Sequence, residues 1–517
     1  MNCLMVINNP SLKKFNFSQR SGDSSYHELL IKQIRNNKHR FVYEFKPFLF
    51  NSDFCYPQLY HWILSYVKDE KLYAVNWYLN LFLIILQITC LLSLCFAVKY
   101  IFGVYLSVTD ILWAVCIYIA TPFFYDRSNA KNVALSTRQI GVTLGQYYLL
   151  FLFIFSIDQN LFLLVPLVII ASLAILGSQF ALQYILFCSL IFSIFLKTIF
   201  PMLVVTVSSI VIMFIFKDYF RHFLKYQWKH KQFYYKVLAK KFILKLRYSI
   251  WRDFYWDFWR RSVNKSWLLY VYQNPVVKVF LGFPFIFLLI PYFWIFINHN
   301  YFFEGDNIPE ILHLPFHLII PILVSVLIFL ITSFRKTRFL GEPHRYFEFS
   351  AIFIALLAVP AKKDYLLLFI ACGGLNIFSL ISQYILNKNI AQQSDKLNKI
   401  IELIVSALND LESSKKIALF SNNLNITKRF LHSGCDVFWG NVTGRKVGEQ
   451  YDFDDVFEKY PIVKNSYIME LIDFFKTNII IIDTSIPGAE EFFNRNSRIN
   501  KKLIIESMHL KLFEVIF

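Results

Sequence analysis

The sequence predicts a polytopic α-helical membrane protein of about ten transmembrane helices with a small α/β domain at its C-terminal end. Three observations carry that expectation. Of the 517 residues, 56% are hydrophobic and the mean hydropathy is +0.46, more apolar surface than one soluble core can hide. Apolar runs recur at the length a helix needs to cross the hydrocarbon layer, where the backbone must satisfy its own hydrogen bonds. From about residue 390 the composition changes to short β-type runs interleaved with helical pieces.

Taken in order, residues 1–75 are polar to mixed. Residues 1–20 lack the apolar core of a cleavable signal peptide. SSYHELLIKQIRNNKHR (24–40) reads as an amphipathic helix, with Leu29, Leu30, Ile31 and Ile34 on or near one face. Spans are expected near 76–98, 104–123, 140–157, 161–177, 180–197 and 199–216, with Pro201 at a helix start, where a missing N–H costs little. Residues 217–276 form a basic, aromatic insertion suited to the membrane interface. Four further spans are expected near 277–298, 313–333, 347–361 and 365–386. The transmembrane domain so defined is 76–390, and 391–517 is a water-facing α/β domain. Its strands are IALFS, CDVFW, NIIIID, KLIIES and LKLFEVIF.

The net charge of +18 lies mainly in the connecting segments. That favours contact with anionic membrane lipids over nucleic acid, which would call for a basic soluble module. The eight cysteines contain no CxxC pair, and Cys90, Cys95, Cys116, Cys188 and Cys372 lie in apolar runs as small core hydrophobes. No Gly-rich dinucleotide fingerprint follows the first C-terminal strand.

Ten spans put both chain ends, and the connections 124–139, 217–276 and 334–346, on one side of the membrane. Four groups of residues there could carry chemistry. Asp23 stands just ahead of the first amphipathic helix, either as a helix cap or as a functional carboxylate. His27 follows on that helix, and His61 lies in DFCYPQLYHWILS. Arg138, in LSTRQIG, is either an interfacial anchor or a phosphate ligand, since guanidinium binds phosphate in a planar fork. RKTRFLGEPHRYFEFS gathers Glu342, His344, Arg345 and Glu348 in one turn between two spans. Arg221, His222, Lys225, Lys229, His230 and Lys231, with Arg260 and Arg261, belong to the basic insertion and either neutralise a phosphate or face lipid headgroups.

GDSSYHELLIKQIRNNKHRF (22–41) and YPQLYHWILSYV (56–67) resemble two pieces of the GT-C glycosyltransferases, which include oligosaccharyltransferase catalytic subunits and mannosyltransferases. That family places an acidic residue ahead of a His-bearing helix in its first extracytoplasmic loop. A "YPPLYH" segment then leads into the next span. IALFSNN, FFKTNIIIIDT and KLIIESMHLKLFEVIF are similar, in order, to three pieces of the family's C-terminal cap. The chain departs from the pattern in offering no apolar helix before residue 22. The resemblance implies sugar transfer from a polyprenyl-phosphate-linked sugar to a glycan, lipid or protein acceptor at the inner (plasma) membrane, with the motif-bearing loops and the C-terminal domain extracytoplasmic. The positive-inside rule alone favours the opposite sidedness. By resemblance Asp23 is the base or a metal ligand, with His27 and His61 nearby as substrate-binding residues. On their own chemistry Arg138 and Arg345 are expected to neutralise the donor phosphate, and Arg221, His222, His230, Glu342 and His344 to bind substrate. A divalent cation is compatible with this chemistry, and no ligand cluster in the sequence specifies one. The rival expectation is a transporter, or a polysaccharide polymerisation or export factor. Carriers place polar groups at mid-membrane depth, whereas these spans read as greasy with polar groups collected at one surface.

Overall fold

The computed structural model describes residues 22–43, 56–125, 135–233, 275–298, 310–334 and 342–409, a few single positions, and the strands of the C-terminal domain. The N-terminal 21 residues and most of the basic insertion lie outside the described residues. So do residues 299–309 of HNYFFEGDNIPE (299–310), which the sequence predicts as an acidic loop, and SYIMELIDFFK, which it predicts as a helical piece of the C-terminal domain.

Among the described residues the order is α1 (Gly22–Asn36), α2 (Leu59–Ser65), α3 (Leu72–Phe102), α4 (Val108–Ile119), α5 (Arg138–Asp158), α6 (Leu164–Gly177), α7 (Gln179–Phe195) and α8 (Phe200–Ile215). There follow α9 (Lys217–Phe233), α10 (Pro275–Gly282), α11 (Leu289–Asn298), α12 (Glu310–Ser333), α13 (Phe347–Asp364) and α14 (Leu366–Asn409). The protein is mostly helical, and its apolar helices mark it as a membrane protein.

Among the described residues, five helical stretches, against the ten expected, are long and apolar enough to cross: Asp69–Phe102, Val108–Tyr125, Arg138–Asp158, Pro315–Ser333 and Leu366–Ile385. A sixth forms if Pro275–Gly282 and Pro284–Ile295, bent by 87° at Phe283, count as one broken span. The runs at 161–177, 180–197 and 199–216 fold as helices of no more than 17 residues. At 1.5 Å per residue these reach about 25 Å, short of a hydrocarbon layer of about 30 Å. The run at 347–361 becomes α13, which is wrapped by protein: nearly every residue from Phe347 to Ala361 is buried. It packs on α4, α5 and α12 and is the centre of the main apolar core.

Local chemistry sets the ends of these helices. α4 opens with a capping box, in which the Ser107 hydroxyl accepts from the Asp110 N–H and the Asp110 carboxylate accepts from the Ser107 N–H. Pro201 does sit in the first turn of α8. At the far end of α13, Lys362 pairs with Asp110 at 3.3 Å, and Asp364 accepts from Tyr292 at 3.1 Å.

α1 buries Leu30, Ile31 and Ile34, the apolar face the sequence marks. Arg35 clamps it to the connection after α2, donating to Ser65 O at 2.9 Å and to Asp69 at 2.6 Å. Gln58 closes the hairpin by exchanging two hydrogen bonds with the backbone of Val42.

The five strands read from sequence all form: β1 (Lys416–Phe420), β2 (Asp436–Trp439), β3 (Ile479–Asp483), β4 (Lys501–Ser507) and β5 (Leu510–Val515). They make one sheet of order β2-β1-β3-β5-β4. The first three are parallel, with Ile417 opposite Ile479, and β5 returns antiparallel against β3 and β4. Residues Ile479–Ile482 are all buried, as a central strand covered on both faces requires. Two short ladders, 446–447 with 451–452 and 457–459 with 462–463, lie outside this sheet. The change of composition at 390 falls inside α14, which runs unbroken to Asn409. One apolar cluster joins Leu30 and Ile34 of α1, Tyr219, Phe223 and Tyr226 of α9, and Ile417, Ile479 and Leu512 of the sheet. The N-terminal helices, the start of the basic insertion and the sheet thus meet at one end of the helical bundle.

Candidate functional site

That same end gathers most of the polar residues marked by the sequence. They form two groups.

In the first, α1 and α2 pack face to face and bring His27 and His61 together. Both rings are buried, and His27 Nδ1 lies 2.7 Å from His61 Nε2. One imidazole must donate and the other accept, so the pair cannot keep this bond with both rings fully protonated. Burial, then the neighbouring His27, holds His61 well below its ordinary value. Tyr56 stands edge-on to both rings, and its hydroxyl meets Thr137 Oγ1 at 3.1 Å. Tyr60, one residue before His61, accepts from the Ser136 N–H at 3.1 Å. These bonds seat the first group directly on the start of α5.

The second group begins at the next residue. Arg138, the first residue of α5, forms an ion pair with Glu348, which is wholly buried in the first turn of α13. Arg345, in the 3-10 turn Pro343–Tyr346 just before α13, pairs with Glu342. His344 lies between these pairs, 4% exposed, with neither ring nitrogen hydrogen-bonded. Its Nε2 is 3.8 Å from the Glu342 carboxylate, too far for a hydrogen bond. The Phe123 ring stands edge-on to the imidazole at 5.6 Å and lies under the Arg138 guanidinium at 5.9 Å. Burial first, then Lys278 on α10, lowers the His344 pKa well below the ordinary 6.5, with Glu342 opposing. Among the described residues, Lys278, Arg345 and Arg138 act on this imidazole against the Glu342 carboxylate.

Leaving both nitrogens of a buried imidazole unmet costs about 1–3 kcal/mol for each polar atom. Groups of this kind inside a native fold call for a ligand, an ion or water. With these cations near it, the arrangement suits an anion that accepts hydrogen bonds, such as a phosphate oxygen.

The remaining sequence candidates sit apart. Asp23 lies in the first turn of α1 rather than ahead of it, one turn before His27; its side chain is outside the described residues. Of the basic insertion, Arg221 is exposed on α9, and His222 bonds its own helix at Asp218 O and stacks on Tyr43. His230 lies on α9 with its side chain outside the described residues. Lys231, also among the insertion's candidates for neutralising a phosphate, comes up against the turn before α13 through Gln183, and burial pushes it down to about 8. Lys278 was missed. Its signal was a lone lysine inside an expected span, where an ionisable residue is costly and usually functional.

The structure also corrects the reading of the spans as greasy throughout. Asn76, Asn80 and Gln87 line the buried face of α3. Gln87 donates to Thr143 at 2.9 Å and accepts from Tyr118 at 2.8 Å, and Gln146 donates to the Glu348 carbonyl at 2.8 Å. A polar network therefore runs inward from the Arg138–Glu348 pair between α3, α4, α5 and α13. Among the described residues, no group of three or more His, Cys, Asp or Glu side chains is placed to hold a metal. No family model matches the chain, and no curated protein matches it in sequence.

Proposed function

We propose that the protein is a membrane-embedded glycosyltransferase that moves a sugar from a polyprenyl-phosphate donor to a glycan, lipid or protein acceptor. The observation that carries this reading is His344: a buried imidazole with two unmet nitrogens, ringed by Arg138, Arg345 and Lys278 at the end of a membrane helix bundle. A phosphate on a lipid tail reaches such a place from the bilayer, and the cations offset its charge as the sugar leaves. In the proposed step the acceptor hydroxyl gives its proton to the Asp23 carboxylate. Its oxygen then bonds to the anomeric carbon, and the carbon–oxygen bond to phosphate breaks, with the electron pair going to polyprenyl phosphate. The His27–His61 pair, one turn along α1, lines the acceptor side. The reading requires the bundle end carrying these groups to be extracytoplasmic.

The test is sugar transfer in membranes, with donor binding measured beside it. Arg345→Ala and His344→Ala are expected to lower transfer by about 10²-fold or more while the protein remains folded. Asp23→Asn is expected to cost about 10²–10⁴-fold with donor binding kept. Full transfer by the Asp23→Asn protein removes the proposed base, and a cytoplasmic signal from a C-terminal reporter counts against a lipid-linked donor. A second reading, a carrier or export factor, is favoured by the polar groups at mid-membrane depth on α3 and α14 and by the broken span at Phe283.

A further inference from the structure

The last span is built inside out. Over Leu366–Ile385 its exposed positions are apolar, among them Leu367, Ile370, Ile377, Phe378 and Ile381. The face turned into the protein carries Cys372, Asn376, Ser379 and Gln383. Asn376 is 6% exposed, Ser379 0% and Gln383 7%, yet Asn376 Oδ1, Ser379 Oγ and Gln383 Oε1 meet no hydrogen-bond partner. The hydroxyls of Thr89, Thr143, Thr206, Ser208, Ser209 and Thr332 each donate to the carbonyl four residues back on their own helix. Ser379 does not. The Asn376 amide cannot simply be turned round, because its Nδ2 donates to the Ala120 carbonyl at 3.1 Å. Its oxygen is thereby committed to the other side.

Two helix C-termini lie near this face. Ala120 is the C-cap of α4, and α10 ends at Gly282 beside the 87° bend. The two ends meet at Phe123, whose side chain lies against Gly282 and whose ring is 5.0 Å from that of Phe283. Both α10 and the segment after the bend pack on α14. A helix C-terminus carries a partial negative charge, and a broken membrane helix frees carbonyl oxygens at the same point. The Asn376 and Ser379 oxygens therefore lie on the inward face of α14, the helix that packs on the end of α4 and on the segment after the bend. The three side chains span about 10 Å along the helix axis, and Ser379 lies between the other two. Lys278, one turn before Gly282, acts on His344.

We infer that the polar face of α14, beside the break at Phe283, binds a monovalent alkali cation through neutral oxygens. Calcium and magnesium sites are ordinarily built around carboxylates, and this face has none. This inference is independent of the donor chemistry proposed above.

The test uses purified full-length protein in nanodiscs, unfolded by heat in sodium, potassium or choline chloride at equal ionic strength. The expected result is a midpoint about 2–4 °C higher in one alkali salt than in choline, rising with its concentration. Ser379→Ala should abolish that increment. Its midpoint in choline should stay level or rise, because an unmet buried hydroxyl has been removed. Equal midpoints in all three salts would assign the face to water alone and overturn the inference, as would a Ser379→Ala protein that keeps the full increment. Should that variant not fold, saturable binding of radioactive sodium or rubidium to the unaltered protein supports the site, and its absence overturns it.

Discussion

Two neighbouring helices, α13 and α14, are joined at Tyr365 and solve opposite problems. α13 is enclosed by α4, α5 and α12, and its side chains face protein on every side. Its strongest polar group, Glu348, is wholly buried and held by Arg138. α14 leaves most of its membrane-depth stretch exposed, with only 22% buried, and its apolar residues face outward while its amides and hydroxyl face in. Hydropathy ranks α14 as the better membrane span, and α13, with Lys362, Lys363 and Asp364 at its end, does not pass as one. The lesson is that an apolar run reports a dry surrounding, and protein and lipid are both dry. α13 has to fit its neighbours closely, whereas α14 is free to vary on its lipid face.

The largest expected break in this comparison comes from Glu348→Ala. Removing the carboxylate takes from the buried Arg138 its ion pair with α13, and losing one partner of a buried ion pair costs about 3–5 kcal/mol. Denaturant unfolding in detergent should show it. An unchanged midpoint would mean that the pair is not closed in the folded protein. A smaller cost, about 1–3 kcal/mol, is expected for Gly145→Ala on α5. A methyl group there would run into the Phe349 ring of α13, and the ring cannot easily move in a filled core.

The third effect depends on pH. Burial keeps His344 and His61 below the ordinary value of 6.5. Below about pH 6.5 the unfolded chain therefore takes up protons that the folded chain refuses. The stability from these groups is complete above that pH and declines as the pH falls through it towards the folded values. Thermal midpoints should drop between roughly pH 6.5 and 5, and His344→Gln should flatten part of the drop. A midpoint that rises on acidification would reverse the assignment. The smallest effect is expected on α14. Gly373→Ala meets nothing within 4 Å of the added carbon, so it should be neutral or raise stability by up to about 1 kcal/mol, the helix advantage of alanine over glycine. A loss comparable to that of Gly145→Ala would show that the outer face of α14 is packed against something after all.

Much of the site could be read from the sequence because its parts sit in short polar stretches between greasy ones. His27, His61, Arg138, Glu342, His344 and Arg345 all stood out in that way, and the structure gathers them into two groups joined through Tyr56 and Thr137. What could not be read was the pairing. Glu348 looked like one more member of a polar turn, and only its contact across 210 positions with Arg138 makes it the anchor of α13. Lys278, Asn376, Ser379 and Gln383 were hidden inside runs that read as uniformly apolar.

By itself the sequence determined a membrane-embedded helical body, the apolar face of α1 and the five strands of the C-terminal sheet. Those depend on local composition and periodicity, which act over a few residues. The tertiary structure decided how many apolar runs are long enough to cross, which helix is shielded by protein rather than lipid, and which charges neutralise one another. Each of these depends on what lies across the gap from a side chain. In a chain this rich in apolar residues, burial alone does not distinguish a neighbour of protein from one of lipid.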